Sequence, residues 1–147
     1  MIRRERRLSF SKFLLAAFVA VTAAPAKGAD MASLSRETAK EVFRREIPNV
    51  PGKSLVSVLV TYAPGAKSPP HRHAGSSFIY AYVLSGAIRS RTGEGAPEVY
   101  RAGESWFESP GARHPVSENA SDAEPASLLA VFVVDTGEEE LTRPDQE

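Results

Sequence analysis

From Ser54 onward short apolar runs are cut by glycine and proline into separate segments, which is a pattern of strands and turns. Residues 55–62 are rich in β-branched and aromatic side chains and stop at Pro64-Gly65. Residues 78–84 form a second such run, ended by Ser85-Gly86, and residues 87–92 lead on to a turn segment, 93–97, in which Gly93 and Gly95 mark a hairpin. Residues 99–100, 105–108, 115–117 and 128–135 supply further strands. Many short strands between Gly and Pro turns predict an all-β sandwich or barrel. One stretch departs from the pattern. In residues 36–46 and just beyond, Ala39, Val42, Phe43 and Ile47 recur at three and four positions, with Ser35 as an N-cap and Pro48 as a stop. This spacing predicts a short helix, although residues 42–47 read equally well as an edge strand. Residues 136–147 are charged, nearly without apolar side chains and contain Pro144, which predicts a flexible, solvated acidic tail.

The first thirty residues follow neither pattern. Arg3, Arg4, Arg6, Arg7 and Lys12 make a basic leader, residues 13–24 an apolar run, and Ala24-Pro25-Ala26 a small-x-small site. These are the three parts of a secretory signal, with cleavage expected after Ala26 and a periplasmic or secreted mature protein. The apolar run is shorter than the ~20 residues of a spanning helix, so a retained membrane anchor is the weaker alternative. Phe10 stands three residues after Arg7 rather than two, which leaves a twin-arginine export route weakly supported. The expected organisation is a signal peptide over 1–26, a lead-in over 27–53 that carries the short helix or edge strand, one folded domain over 54–135, and the tail.

Cleavage would change the charge. The chain has 18 basic and 18 acidic residues; loss of residues 1–26 removes the five basic side chains named above together with Glu5, leaving 13 basic against 17 acidic. With no basic patch left, a nucleic-acid partner is not expected. The chain has no cysteine, which excludes disulfides, a lipoprotein anchor and a thiol nucleophile, so stability must come from the core and from any bound metal.

All three histidines, His71, His73 and His114, lie in two short segments. Residues i and i+2 of an extended segment point to one face, so His71 and His73 can present their rings to one point while Arg72 faces away. His114 follows the Pro110-Gly111 turn, which can deliver a third imidazole to the same centre. Three neutral imidazoles suit zinc, copper, iron or nickel and leave open positions for water or substrate.

The two segments resemble the motifs of the small single-domain cupins, G-x5-H-x-H followed by E-x6-G, and G-x5-P-x-G-x2-H-x3-N. Gly65, His71 and His73 keep the first spacing, with Gly86 closing it after a longer link than usual; Gly103, Gly111 and His114 keep the second, with Pro110 one place late and Asn119 one residue further on. The glutamate that most of the family uses as a ligand is missing: no acidic residue lies between His73 and Gly86. Counting forward from His73 puts Ser77 or Phe78 in its place, and counting back from Gly86 puts Ile79 there. Glu104 and Glu108 are the carboxylates closest in sequence to the second motif; position argues against both as ligands, since Glu108 is separated from His114 by the Pro110-Gly111 turn. The resemblance implies a jelly roll over residues 54–135, a homodimer, and a divalent transition metal on His71, His73 and His114, with iron favoured and zinc, manganese, nickel or copper as alternatives.

Other chemistry must come from residues near the histidines. The candidate pocket lining is Ser77, Ile79, Tyr80, Ala81, Tyr82, Trp106 and Phe107. Tyr80 and Tyr82 share one face of their strand, Ile79 and Ala81 the other. Counting back from Gly86 turns the second set inward and makes the pocket apolar; a bulge after Ala74 would turn the tyrosines inward instead. One of Trp106 and Phe107 should face the cavity. Arg113, beside His114, is expected to face solvent, with a hold on an anionic substrate as the alternative. Two functions are compatible with this set. One is a three-histidine metal-dependent oxygenase acting on a small organic substrate, with hydrolytic or isomerase chemistry as variants. The other is a non-catalytic protein of the cell envelope that binds a small molecule or a metal in the same cup.

Overall fold

The computed structural model describes residues 36–145, which form eleven strands and, among those residues, no helix. The expected signal peptide and residues 27–35 of the lead-in lie outside the described residues. The strands are β1 (Glu37–Glu46), β2 (Lys53–Tyr62), β3 (His71–His73), β4 (Phe78–Ser85), β5 (Ala87–Arg91), β6 (Glu98–Arg101), β7 (Ser105–Glu108), β8 (Arg113–His114), β9 (Val116–Asn119), β10 (Ala126–Asp135) and β11 (Thr142–Pro144). A five-stranded antiparallel sheet runs β1-β2-β10-β4-β7, and two three-stranded sheets run β11-β3-β8 and β6-β5-β9. Together they make an all-β architecture, as the short strands and turns predict, of the jelly-roll kind that the resemblance implies.

The core forms because the inward set of each long strand is apolar. Val56, Ile79, Val83, Leu128, Phe132 and Val134 are buried on the inner face of the large sheet, and Ile88 meets them from β5. Tyr62 is also buried, and its hydroxyl is satisfied by Ser68 Oγ at 2.6 Å and Ser117 Oγ at 2.8 Å. Gly86 sets the tight turn between β4 and β5. Its φ is +68°, and a Cβ there would lie 2.6 Å from the Pro125 carbonyl, so no other residue fits.

Two expectations change at the ends. Residues 37–46 take the edge-strand alternative and not the helix: the strand covers their whole length at the edge of the large sheet and pairs with β2 from Glu37↔Tyr62 to Glu46↔Ser54. A bulge between Glu41 and Phe43 explains the misleading periodicity: it inserts Val42 and resets the alternation, so apolar residues fall three and four apart without a helix. The domain therefore begins before residue 54. At the other end residues 142–145 are not a free tail. β11 pairs with β3, and the Asp145 carboxylate forms ion pairs with Arg72 and Arg113, which draw the acidic end of the chain onto the sheet.

Candidate metal centre

The three histidines come together through the small sheet. Pro69 and Pro70 hold the chain extended into β3, where His71 and His73 face inward and Arg72 outward. The turn at Pro110-Gly111, with Gly111 at φ +70°, brings β8 antiparallel to β3, in the register His71↔His114 and Arg72↔Arg113. The ring centroids lie 4.9 Å (His71 to His73), 5.0 Å (His71 to His114) and 5.6 Å (His73 to His114) apart, and one ring nitrogen from each falls within 4.8 Å of the others.

A carboxylate stands among them, and it is Glu108. Its side chain is 3% exposed, with Oε2 2.8 Å from His73 Nε2 and 3.5 Å from His114 Nδ1. Sequence position argues against this residue; the sheet reverses that. β7 pairs with β4 in the register Ile79↔Glu108, so the carboxylate sits directly across from Ile79, the position that counting back from Gly86 gives the missing glutamate. The signal that could have found it is alternation along β7: Trp106 and Glu108 share the inward face and Phe107 the outward one.

Protonation makes the cluster a set of acceptors. His71 Nδ1 lies 2.9 Å from the Pro69 carbonyl, which can only accept, so the proton is on Nδ1 and the Nε2 lone pair is free. His114 Nε2 is 2.9 Å from Ser90 Oγ; with Nε2–H donating there, the Nδ1 lone pair points to His73 and Glu108. Burial lowers the pKa of His71, and burial lowers that of His114 to about 4 against the opposing pull of Glu108, so both rings are neutral at pH 7. Burial alone would raise the pKa of Glu108, but contact with His73, the charges of His114 and His73 and the Trp106 indole N–H, 3.0 Å from Oε1, outweigh it and hold the carboxyl below its ordinary value. The 2.8 Å approach of His73 Nε2 is not aligned as a hydrogen bond, and Oε2 is left buried without a donor. An ionised oxygen with no donor, facing ring nitrogens, is what a cation site offers.

The spacing fits an ion. With ligand bonds of ~2.1 Å, adjacent ligand atoms stand roughly 3.0 Å apart in an octahedron and roughly 3.4 Å apart in a tetrahedron. The observed separations of 2.8, 3.4 and 3.5 Å among Glu108 Oε2, His73 Nε2 and His114 Nδ1 bracket those values.

The cluster opens on a cavity of about 480 Å³. Its walls are the inner faces of β2, β4 and β10, including Val58, Ile79, Ala81 and Ala130, closed by Trp106 on one side and by residues 141–144 on another. Of the expected lining residues, Ile79, Ala81 and Trp106 are therefore in place. Tyr80, Tyr82 and Phe107 are not: they are exposed on the outer face, because no bulge shifts β4 before Phe78 and the count back from Gly86 holds. Ser77 is fully buried but outside the cavity wall, its Oγ unpartnered. Asn119 is also away from the ion site; it ties a turn by donating to the Ala63 and Glu124 carbonyls and accepting from Ser121 N–H. Arg113 belongs to an ion pair with Asp145.

A β-sandwich whose cup collects three histidines and a carboxylate defines the class. The sequence profile of the Cupin domain family matches residues 58–132, and the chain belongs to that family. No curated protein matches the chain. Among solved structures, an uncharacterised conserved protein with a double-stranded β-helix domain from Klebsiella pneumoniae superposes with a TM-score of 0.60 at 18% identity, covering 79% of this chain and 93% of its own. The TT1209 protein of Thermus thermophilus gives 0.54 at 28% identity, covering 67% and 84%. Oxalate decarboxylase from Bacillus subtilis gives 0.58 at 23% identity, covering 76% of this chain but only 28% of its own, a likeness of fold alone.

Proposed function

We propose that the protein is an exported metal-binding cupin that uses His71, His73, His114 and Glu108 to hold a divalent transition metal, and that it acts as a metal-dependent oxygenase on a small, largely apolar organic molecule. The observation that carries the metal reading is the buried Glu108 Oε2, which has no donor and faces two ring nitrogens at ligand spacing. A mixed imidazole and carboxylate set suits iron first, then manganese, zinc, nickel or copper, and such an ion supplies Lewis acidity and open positions. The chain's own residues do the rest. Ala81, Ala130 and Val58 leave room for a substrate body and exclude water around it, Trp106 fixes Glu108 by its indole N–H, and Ser90 fixes the His114 ring.

The lining also restricts the substrate. Among the cavity residues Arg143 is the only Lys or Arg, and its register with Arg72 sends its side chain to the outer face, where Glu140 engages it at 2.8 Å. A dianion such as oxalate would have no second cation to meet, which favours a molecule with one metal-binding head on an apolar body. The same largely apolar cavity supports the second reading, a non-catalytic envelope protein that holds such a molecule.

A homodimer is part of the proposal. On the outer face of the large sheet none of the outward side chains of β2, β10 and β4 over residues 55–61, 127–133 and 78–84 is charged, and one rung there reads Ser57, Val131, Tyr80, Phe107. Those three strands, ~4.8 Å apart and roughly 24 Å long, make an uncharged face of about 350 Å², which would serve as the centre of an interface of ~800 Å² per partner. A sedimentation mass of one chain would reject this.

Elemental analysis of protein purified from its native compartment, beside His71→Ala and His114→Ala, tests the metal. Stoichiometric metal in the wild type that both variants lose is the expected result; the same trace in all three rejects the site. N-terminal sequencing should find Lys27 first, and residues 1–26 still attached would reject export by cleavage.

A further inference from the structure

We infer that Asp145 is a positioning residue for the metal centre: it latches the C-terminal strand across the cup and braces the two strands that carry the histidines. The inference rests on the metal reading above. Its starting point is a rung of three arginines. Arg143 on β11 pairs with Arg72 on β3, and Arg72 pairs with Arg113 on β8, so three like charges stand side by side on the outer face of the small sheet. Like charges directly opposite each other push strands apart. On the inner face of those same strands lie the rungs Pro144↔His71↔His114 and Thr142↔His73. Whatever spreads the arginine rung therefore spreads the ligands.

Two carboxylates offset this repulsion. Asp145 places one oxygen 3.1 Å from Arg72 Nε and the other against Arg113 Nε, with its carboxylate covered by the two guanidinium groups. Arg143 is met separately by Glu140. Asp145 is thus one carboxylate shared by β3 and β8, bridging Arg72, which sits between two ligand histidines, and Arg113, which precedes the third. Its backbone N–H also donates to the Pro70 carbonyl at 3.2 Å, and the Leu141 carbonyl accepts from Ala74 N–H at 3.1 Å, which pins the strap on both sides of β3. Leu141, Thr142 and Pro144 then form part of the cavity wall. Loss of the Asp145 charge should free the strap, open that wall and loosen the His71, His114 pair together.

The test uses the full mature chain, cobalt(II) as the probe, and the variants Asp145→Ala, Asp145→Asn and Asp145→Glu. In Asp145→Ala and Asp145→Asn, cobalt should leave to a chelator about tenfold faster, at the low end of the 10–100-fold effects of residues that orient metal ligands. The visible cobalt spectrum should change, and hydrogen exchange over residues 141–145 should rise, while Asp145→Glu recovers most of each. A merely stabilising contact would lower the melting temperature without moving the cobalt spectrum. Unchanged spectrum, release rate and exchange in Asp145→Ala would overturn the inference. If the wild type takes up no cobalt, the metal reading fails by itself, and exchange over 141–145 decides the latch: a rise keeps it, no change removes it.

Discussion

Replacing Glu108 by Gln separates a metal ligand from a structural ion pair, because the two roles predict opposite signs in the metal-free protein. The substitution keeps the shape, removes the charge and puts an NH2 group where an oxygen now stands. In the metal-free protein Oε2 is buried without a donor, and His114 Nδ1 is an unprotonated acceptor beside it. The new NH2 can donate to that nitrogen, so the variant should be as stable as the wild type or up to ~1–2 kcal/mol more stable. Were Glu108 instead the partner of a charged His73 in a structural pair, its removal would cost about 3–5 kcal/mol. With metal the sign reverses. Loss of a direct anionic ligand should exceed the 10–100-fold effect of an outer partner, so affinity should fall by on the order of 100-fold, or ~2.7 kcal/mol. At saturating zinc the stabilisation by the ion shrinks by the same amount, which lowers the melting temperature by roughly 10 °C for a domain of this size. Calorimetric melts of metal-free and zinc-loaded wild type and Glu108→Gln, with a chelator competition for affinity, read both arms. Unchanged zinc affinity in the variant, or a metal-free variant that melts far below the wild type, would refute the reasoning.

Two further outcomes follow from the same geometry. His114 has a folded pKa of about 4 against the ordinary 6.5, lowered first by burial. The unfolded chain binds a proton that the folded one refuses, so stability of the metal-free protein is full above pH 6.5 and declines as pH falls from there to about 4, by roughly 3 kcal/mol in all; urea melts across that range check it, and a flat profile contradicts the assignment. Ala81→Phe fills the cavity beside Trp106, the single tryptophan of the chain. Metal content should stay at the wild-type level while the quenching of Trp106 fluorescence by a small aromatic probe is lost, and persistent quenching would show that the probe binds elsewhere.

Much of this was legible in the chain. Residues 55–62, 78–84 and 128–135 are rich in β-branched and aromatic side chains and bounded by Gly, Pro or charged residues, so the central strands follow from composition and turn signals. The i, i+2 spacing of His71 and His73 places their rings on one face whatever lies around them. Glu108 was not legible from spacing to His114, because its place is set by pairing with β4 and not by distance along the chain. The strand at residues 37–46 was obscured by a bulge, which mixes two and three in its period. The end of the chain misled for another reason. A charged segment reads as solvated until its counter-charges are known, and Arg72 and Arg113 stand about 73 and 32 residues away in sequence from Asp145.

The Ile79↔Glu108 rung has a wider meaning. A pleated sheet is a two-dimensional lattice in which each site has neighbours along its own strand and neighbours one strand over. An acid can step sideways on that lattice and still aim at the same point, although in the linear text it has jumped 29 positions. Two chains can therefore share a donor set while no acidic column aligns between them, and a search that reads only along the string would count this protein as having lost its carboxylate.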